Sequence, residues 1–215
     1  MIAYTDFEQQ LDLTKFDALQ EEIHTGFSEA LPLAMEGTWT KQYTNNLQTS
    51  QPLSVKLISQ AMEEFTSLPE SSLIKQTGLE LYDSNRSQFT TYLKIAMQAY
   101  DCYRYYPILN NALSEHFPNV VKWINDIDLF AQIDQATFIV CEHDGISWEH
   151  KDLDCPTDFV YIRPNLEKPV YLWDPLDKTR TYINSRAAHW DTNNWFGGDR
   201  IIRQSYALRI DGIFK

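Results

Sequence analysis

The chain has 215 residues, of which 43% are apolar and 13% aromatic, enough for one domain with a well-filled core and too apolar for a disordered chain. Thirty acidic against eighteen basic residues give a formal charge of −12, and no Lys/Arg run interrupts it, which argues against generic binding to phosphate backbones. The three cysteines, Cys102, Cys141 and Cys155, are scattered and form no CxxC pair, which excludes a zinc ribbon or a disulfide framework and leaves reduced thiols in a cytoplasmic setting as the simplest expectation.

The opening MIAYTDFEQQ carries acid early and has no apolar h-region, so it does not read as a signal peptide. No apolar run approaches the ~18 residues of a membrane span, and a soluble cytoplasmic protein is expected. In LTKFDALQEEIHTGFSEA, Phe16, Leu19, Ile23 and Phe27 recur at helical spacing, and Thr14 with Asp17 reads as a capping start. LSVKLISQAMEEF repeats the pattern through Leu57, Ile58, Ala61, Met62 and Phe65. Residues 79–106 admit two readings: a hairpin about DSNRS, or the approach to a helix through AMQAYDCYRYY. Strand first and helix after is the expectation. FPNVVKWINDI reads as a short helix opened by Pro118.

From about residue 134 the texture changes. ATFIVCE, ISWEH, DFVYIRP, PVYLWD, RTYIN and RIIRQSYALRI are short β-rich runs, separated by HDG, RPNLEKP, DPLDK and NNWFGGD. Strands at this spacing argue for an antiparallel sandwich or barrel. PLDKTR reads as a hairpin loop, and Gly197-Gly198 as a turn with aromatics at its rim. The expected architecture is α+β with a mainly β core and helices packed outside it. It forms a single domain, 1–215, with a mostly helical extension over 1–130 that includes possible first strands, and a β core over 131–215.

The chemistry-bearing residues lie in this second part. Along ISWEHKDLDCP, Ile146, Trp148, His150 and Asp152 share a strand face if the strand runs that far. His150 and Asp152 are then half of a metal site, or else two solvated residues in a loop. Of the other histidines, His24 lies in a helix, His116 precedes a helix-opening proline, and His143 is in the turn EHDG. That leaves His189, at the end of a strand signal. Two imidazoles and a carboxylate make the facial set of non-haem iron sites. In RIIRQSYALRI, Tyr206, Leu208 and Ile210 alternate against Arg203, Ser205, Ala207 and Arg209. A guanidinium beside a hydroxyl inside a barrel needs a carboxylate, and no flanking strand offers one. Either a dicarboxylate ligand supplies it, or this is an edge strand facing solvent.

His150-Lys151-Asp152, His189 thirty-nine residues after His150, and Arg203-Gln204-Ser205 fourteen further on resemble the H-x-D…H…R-x-S pattern of the 2-oxoglutarate- and Fe(II)-dependent oxygenases. The resemblance spans roughly residues 132–213. It implies a double-stranded β-helix, a cupin-like jelly roll, with Fe(II) bound by His150, Asp152 and His189. 2-Oxoglutarate would chelate the iron, its far carboxylate on Arg203 with Ser205 adding a hydrogen bond. The implied reaction hydroxylates an unidentified amino acid, peptide or small metabolite as 2-oxoglutarate is decarboxylated to succinate, with ascorbate as reductant in vitro. Phe159, Tyr161 and Arg163 share one face of FVYIRPN, so Tyr161 and Arg163 are candidate contacts to 2-oxoglutarate or substrate. Otherwise Tyr161 is core and Arg163 pairs with a surface acid. Trp148, Trp190 and Asn193 are candidate substrate-pocket residues, and Cys155 a bystander. HWDTNN, with FPNVVKWINDI ahead of the barrel, resembles the aspartyl/asparaginyl β-hydroxylase branch, although that branch commonly lacks the metal-binding aspartate present here as Asp152. A cupin-like metal enzyme acting on another acid, and a non-catalytic jelly-roll binding module, are the alternative readings.

Overall fold

The computed structural model describes residues 3–36, 103–109, 112–141, 147–150, 158–174, 176–177, 179–199 and 203–215. The expected helix at LSVKLISQAMEEF lies outside the described residues, as do Asp152, Cys102, Cys155 and nearly all of segment 79–106. Where that segment ends, the expected helix gives way to a strand. The run of aromatics at Tyr103–Pro107 suits a pleated surface better than a helix and pairs with its neighbours on both sides.

In chain order the elements are β1 (Tyr4–Asp6), α1 (Leu13–Asp17), α2 (Gln20–Glu29), a 3-10 turn (Leu31–Leu33), β2 (Met35–Glu36), β3 (Tyr103–Pro107) and a second 3-10 turn (Ala112–His116). There follow α3 (Pro118–Asn125), β4 (Phe130–Cys141), β5 (Ser147–His150), β6 (Asp158–Ile162), β7 (Val170–Asp174), β8 (Thr179–Tyr182), β9 (Ala187–Trp190), β10 (Trp195–Gly198) and β11 (Ser205–Phe214). Among the described residues they form two antiparallel sheets, β1-β9-β6-β11-β4-β3-β2 and β5-β10-β7-β8. From β4 to β11 the chain crosses between the sheets, so that the quartet β9-β6-β11-β4 faces β5-β10-β7-β8. That order is the jelly roll, a double-stranded β-helix, with β1, β2 and β3 widening the larger sheet.

Period-two alternation decides what each face of the large sheet meets. Ala136, Phe138 and Val140 of β4, Val160 and Ile162 of β6, and Tyr206, Leu208 and Ile210 of β11 join Phe16, Ile23, Phe27, Phe117, Val120 and Ile124 in one buried cluster. The helices therefore cover the outer face, each fully buried Phe, Ile or Leu contributing about 1.5–3 kcal/mol. Phe27 is central to it, its ring centroid 5.1 Å from those of Tyr106 and Phe138 and 5.3 Å from that of Tyr206. Gly26 lets α2 approach so closely that a Cβ there would lie 2.4 Å from the Phe117 ring.

The helix starts differ in detail from the sequence reading. Thr14 donates to Asp12 rather than capping α1 with Asp17. Pro118 does open α3, and Glu22 of α2 accepts from the backbone N–H groups of Asn119 and Val120 at 2.9 and 3.0 Å. A carboxylate on those donors satisfies groups that the first turn leaves unpaired. No helix among the described residues is long and apolar enough to cross a membrane.

Candidate functional site

The opposite alternating set faces inward. Thr137, Ile139 and Cys141 of β4, Tyr161 and Arg163 on or just after β6, and Ser205, Ala207, Arg209 and Asp211 of β11 line a cavity of about 340 Å³ between the sheets. Tyr103 and Tyr105 of β3 extend one wall, and Val170, Phe196, Gly197 and Gly198 of the small sheet form the other. Phe159, Trp190, Val170 and Leu172 pack as a separate buried cluster against this wall.

Registers divide the lining into layers. Ser205 is opposite Cys141, which is opposite Tyr103. Lys168, in the loop before β7, donates to the Tyr103 hydroxyl and stands 4.5 Å over its ring. The Ser205 hydroxyl is buried with no hydrogen-bond partner among the described residues. An ammonium and two hydroxyls thus border one part of the cavity. Deeper along β11, Arg209 is opposite Tyr161 on one side and Thr137 on the other. Its Nε is 2.8 Å from Asp211 Oδ1, and its guanidinium lies 4.3 Å over the Phe159 ring. Burial pushes the Tyr161 phenol up to about 12, so it is a neutral donor at neutral pH.

Arg163 is only 3% exposed. It donates to the carbonyls of Lys168 at 3.1 Å, Ile183 at 2.7 Å and Ser185 at 2.5 Å. Burial lowers its pKa, but three carbonyls hold its donors and it remains a cation. It clasps the loop before β7 to the one before β9. This is not the surface ion pair of one sequence reading; Arg163 does line the cavity, where the other reading would have it contact a ligand.

The other residues singled out from the sequence fall in different places. His150 ends β5 in register with Phe196, a cavity-wall residue. The side chains of His150 and Trp148, and the whole of Asp152, lie outside what the structure describes. His189 is not brought to the cavity. On β9, Ala188 and Trp190 join the inner cluster, so alternation turns His189 to the other face, where its ring stands edge-on to Phe214 at 5.4 Å. Its Nδ1 is 3.1 Å from the Phe159 carbonyl, and burial lowers its pKa, so Nδ1 of the neutral ring is the donor. No three His, Cys, Asp or Glu side chains among the described residues gather as metal ligands do.

Arg203 also sits away from the cavity. It precedes β11, its side chain is 69% exposed, and it pairs with Glu167. That acid comes from the loop RPNLEKP and not from a flanking strand. Asn193 is exposed in a turn, with its backbone N–H and its side-chain amide both 2.9 Å from Asp191 Oδ1. Gly197 and Gly198 are strand residues of β10 opposite Tyr171 and Val170, not a turn; the turn lies at Asp191–Asn194. Trp190 is buried and lines the cavity, as do Tyr161, Arg163 and Ser205.

Sequence reasoning missed Lys168, Tyr103, Arg209 and Asp211. Arg209 was within reach, since it continues the alternating set of Ser205. Lys168 sits in a segment that reads only as a turn, and Tyr103 in one expected to be helical.

No family model matches the chain, and no curated protein is similar to it. Among solved structures, it is similar to a 2OG-Fe(II) oxygenase family oxidoreductase from Burkholderia pseudomallei, with 11% identity over 52% of this chain and 67% of that one and a TM-score of 0.37. A collagen prolyl hydroxylase of Paramecium bursaria Chlorella virus-1 shares 10% identity over 50% of this chain and 77% of that one, with a TM-score of 0.31. A cupin domain from Bordetella pertussis shares 12% over 39% and 82%, with a TM-score of 0.28. Likeness of this size is no more than an outline, and the assignment to the jelly-roll fold rests on the chain's own strand order.

Proposed function

We propose that the chain is a jelly-roll oxygenase that uses Fe(II) and 2-oxoglutarate to hydroxylate a small substrate. The observation that carries this reading is the cavity, a partly open space between the sheets of an acidic protein whose wall nonetheless carries cations and hydroxyls. Such a wall suits a small organic acid. Charged donors to a carboxylate are roughly twice as strong as neutral ones, and a dry cavity strengthens them further.

In this reading the side chains that would hold the acid are not those of the sequence pattern. Arg203 is outside, so the cation that would meet the acid from the same cavity as Ser205 is Lys168, with the Tyr103 hydroxyl next to it. The Ser205 hydroxyl, buried and unpartnered among the described residues, fits a carboxylate acceptor. Tyr161, held neutral, would give a further hydroxyl toward the interior.

The iron would rest on His150 and Asp152 of the His-x-Asp pair, since His150 ends the strand next to the cavity wall. His189 as placed, with Nδ1 on the Phe159 carbonyl and its ring against Phe214, does not fit as a third ligand. When bound, Fe(II) would supply oxygen activation coupled to decarboxylation of the oxo acid. The chain's own part is to orient the dicarboxylate, exclude water behind Trp190 and Phe159, and present the substrate.

The test is turnover. The purified chain with Fe(II), ascorbate and oxygen is expected to convert 2-oxoglutarate to succinate, with loss of activity in His150→Ala and Lys168→Met. A chain that neither binds nor consumes 2-oxoglutarate under these conditions overturns the reading. A chain that binds small acids without turnover is the binding module instead.

A further inference from the structure

The cavity is longer than a five-carbon diacid. Its wall follows β11 from Ser205 to Asp211 in unbroken register with β4, six residue steps that at about 3.3 Å each make roughly 20 Å. An extended five-carbon chain covers about two such steps. A dicarboxylate held by Lys168 and Ser205 therefore does not reach the far end, at the level of Arg209 and Asp211. The two ends also differ in chemistry. The Lys168 ammonium and the Ser205 hydroxyl border one of them. At the other, Arg209 and Asp211 are engaged with each other, Nε to Oδ1 at 2.8 Å, and with further neighbours, so they offset one another and do not make a charged site.

What the far end offers is an uncharged donor. Tyr161 is opposite both Ala188 and Arg209, so Trp190, two residues beyond Ala188, falls level with Phe159 and Asp211. Trp190 is 2% exposed, lines the cavity, and its indole N–H has no hydrogen-bond partner among the described residues. Buried donors without a partner are rare in native proteins, and an indole N–H can only donate, so the missing partner is an acceptor. The surroundings say what kind. The Trp190 ring centroid is 4.9 Å from that of Phe159, 5.5 Å from that of Tyr161 and 5.3 Å from that of Phe196. On the facing sheet Gly198, in register with Val170, brings bare backbone to the wall. Aromatic rings across from backbone suit a flat ring. A carboxylate here would give up its hydration for neutral donors, whereas an uncharged carbonyl loses far less. The volume of about 340 Å³ is at the small end of the roughly 300–1,000 Å³ of ligand pockets, which favours a free small molecule over a polypeptide segment.

We infer that this end of the cavity is a second subsite, which takes a small, uncharged, flat aromatic molecule by its carbonyl oxygen, and that the Trp190 indole N–H is the donor that selects it. In the proposed oxygenase reading this molecule is the substrate, and the inference rests on that reading for this role alone. Lys168 and Ser205 are left to the dicarboxylate.

The experiment is calorimetric titration of the full chain, with and without saturating 2-oxoglutarate. The probes are acetophenone and benzamide. Beside them stand ethylbenzene, which lacks the acceptor, benzoate, which adds a charge, and cyclohexyl methyl ketone, whose ring is not flat. The indole N–H resonances of the six tryptophans are followed in parallel, that of Trp190 being the one missing from Trp190→Phe. Acetophenone or benzamide is expected to bind roughly fivefold or more tighter than ethylbenzene, the worth of one hydrogen bond, and tighter than benzoate and the cyclohexyl ketone. It should bind with 2-oxoglutarate present as well as without it, and move the Trp190 indole proton downfield. Trp190→Phe, which removes the donor and keeps an aromatic ring, should bring acetophenone down to the affinity of ethylbenzene and leave ethylbenzene within about twofold. Binding of neither probe, equal binding of ethylbenzene or benzoate, an unmoved Trp190 resonance, or exclusion of the probes by 2-oxoglutarate overturns the inference. The ligand comparison and the competition need no variant, so they decide even if Trp190→Phe fails to fold. 2-Oxoglutarate binding without selective probe binding defeats this inference alone. Selective probe binding in a chain with no affinity for 2-oxoglutarate defeats the oxygenase reading and leaves the subsite standing.

Discussion

Replacing Arg163 by methionine separates a structural cation from a ligand-binding one. Arg163 is buried and spends donors on three backbone carbonyls, those of Lys168, Ile183 and Ser185. Hydrogen bonds from a charged group contribute about 1.5–3 kcal/mol each, so the three sum to roughly 5–9 kcal/mol before offsets. Methionine fills much of the same volume and no longer bears the guanidinium's desolvation cost of several kcal/mol, but it leaves the carbonyls without these donors. The net loss should be about 3–5 kcal/mol. For a chain of this size that lowers the melting temperature by roughly 6–20 °C. Urea unfolding followed by tryptophan fluorescence measures it directly. 2-Oxoglutarate affinity, taken at a temperature where the variant is folded, should change little. A variant that unfolds at the wild-type urea concentration yet no longer binds 2-oxoglutarate would refute the reasoning and return Arg163 to the ligand.

Ser205→Ala removes a buried hydroxyl with no partner among the described residues, so it should leave thermal stability unchanged or slightly raised while weakening 2-oxoglutarate binding about two- to tenfold, read by differential scanning fluorimetry and calorimetry. Gly26→Ala drives a Cβ into the Phe117 ring and should destabilise by about 1–3 kcal/mol, seen as a lower urea midpoint; a midpoint within error of wild type would contradict the packing of α2 on α3. Burial is the leading cause that raises the phenols of Tyr161 and Tyr206 to about 12. Both neutral forms are favoured on folding, so their contribution is intact below pH ~10, the unfolded value, and fades as pH rises through about 12. Ultraviolet difference titration should show phenol ionisation close to pH 12, coincident with unfolding, that is lost in Tyr161→Phe and in Tyr206→Phe.

The fold was legible wherever a periodicity had one face to bury. The alternation of Tyr206, Leu208 and Ile210 gave β11 its orientation, because those residues pack on the helices, and the spacing of Phe16, Ile23 and Phe27 gave the helical face that meets them. Tyr103–Pro107 was misread because AMQAYDCYRYY reads as one helical run, although its aromatic end suits the strand that β2 and β4 pair with. In the site, period two alone put Ser205 on one face with Ala207 and Arg209, and Tyr161 on one face with Phe159 and Arg163; that these faces line the cavity came only from the folded chain. Placing Arg203 required knowing where β11 begins, and that depends on a turn rather than a repeat. His189 illustrates the same sensitivity, because a shift of one residue along β9 exchanges it with Trp190. Lys168 could not be found from pattern at all, since its loop reaches the cavity only through contacts made in the folded chain.

The central claim is that the cavity, not the surface around Arg203, holds the dicarboxylate. Calorimetric titration of 2-oxoglutarate into the wild-type chain, Lys168→Met and Arg203→Ala tests it most directly. The account predicts that Lys168→Met loses at least tenfold in affinity and that Arg203→Ala, which breaks only an exposed pair worth about 0–1 kcal/mol, binds as the wild type does. Retained binding in Lys168→Met with loss in Arg203→Ala would contradict it.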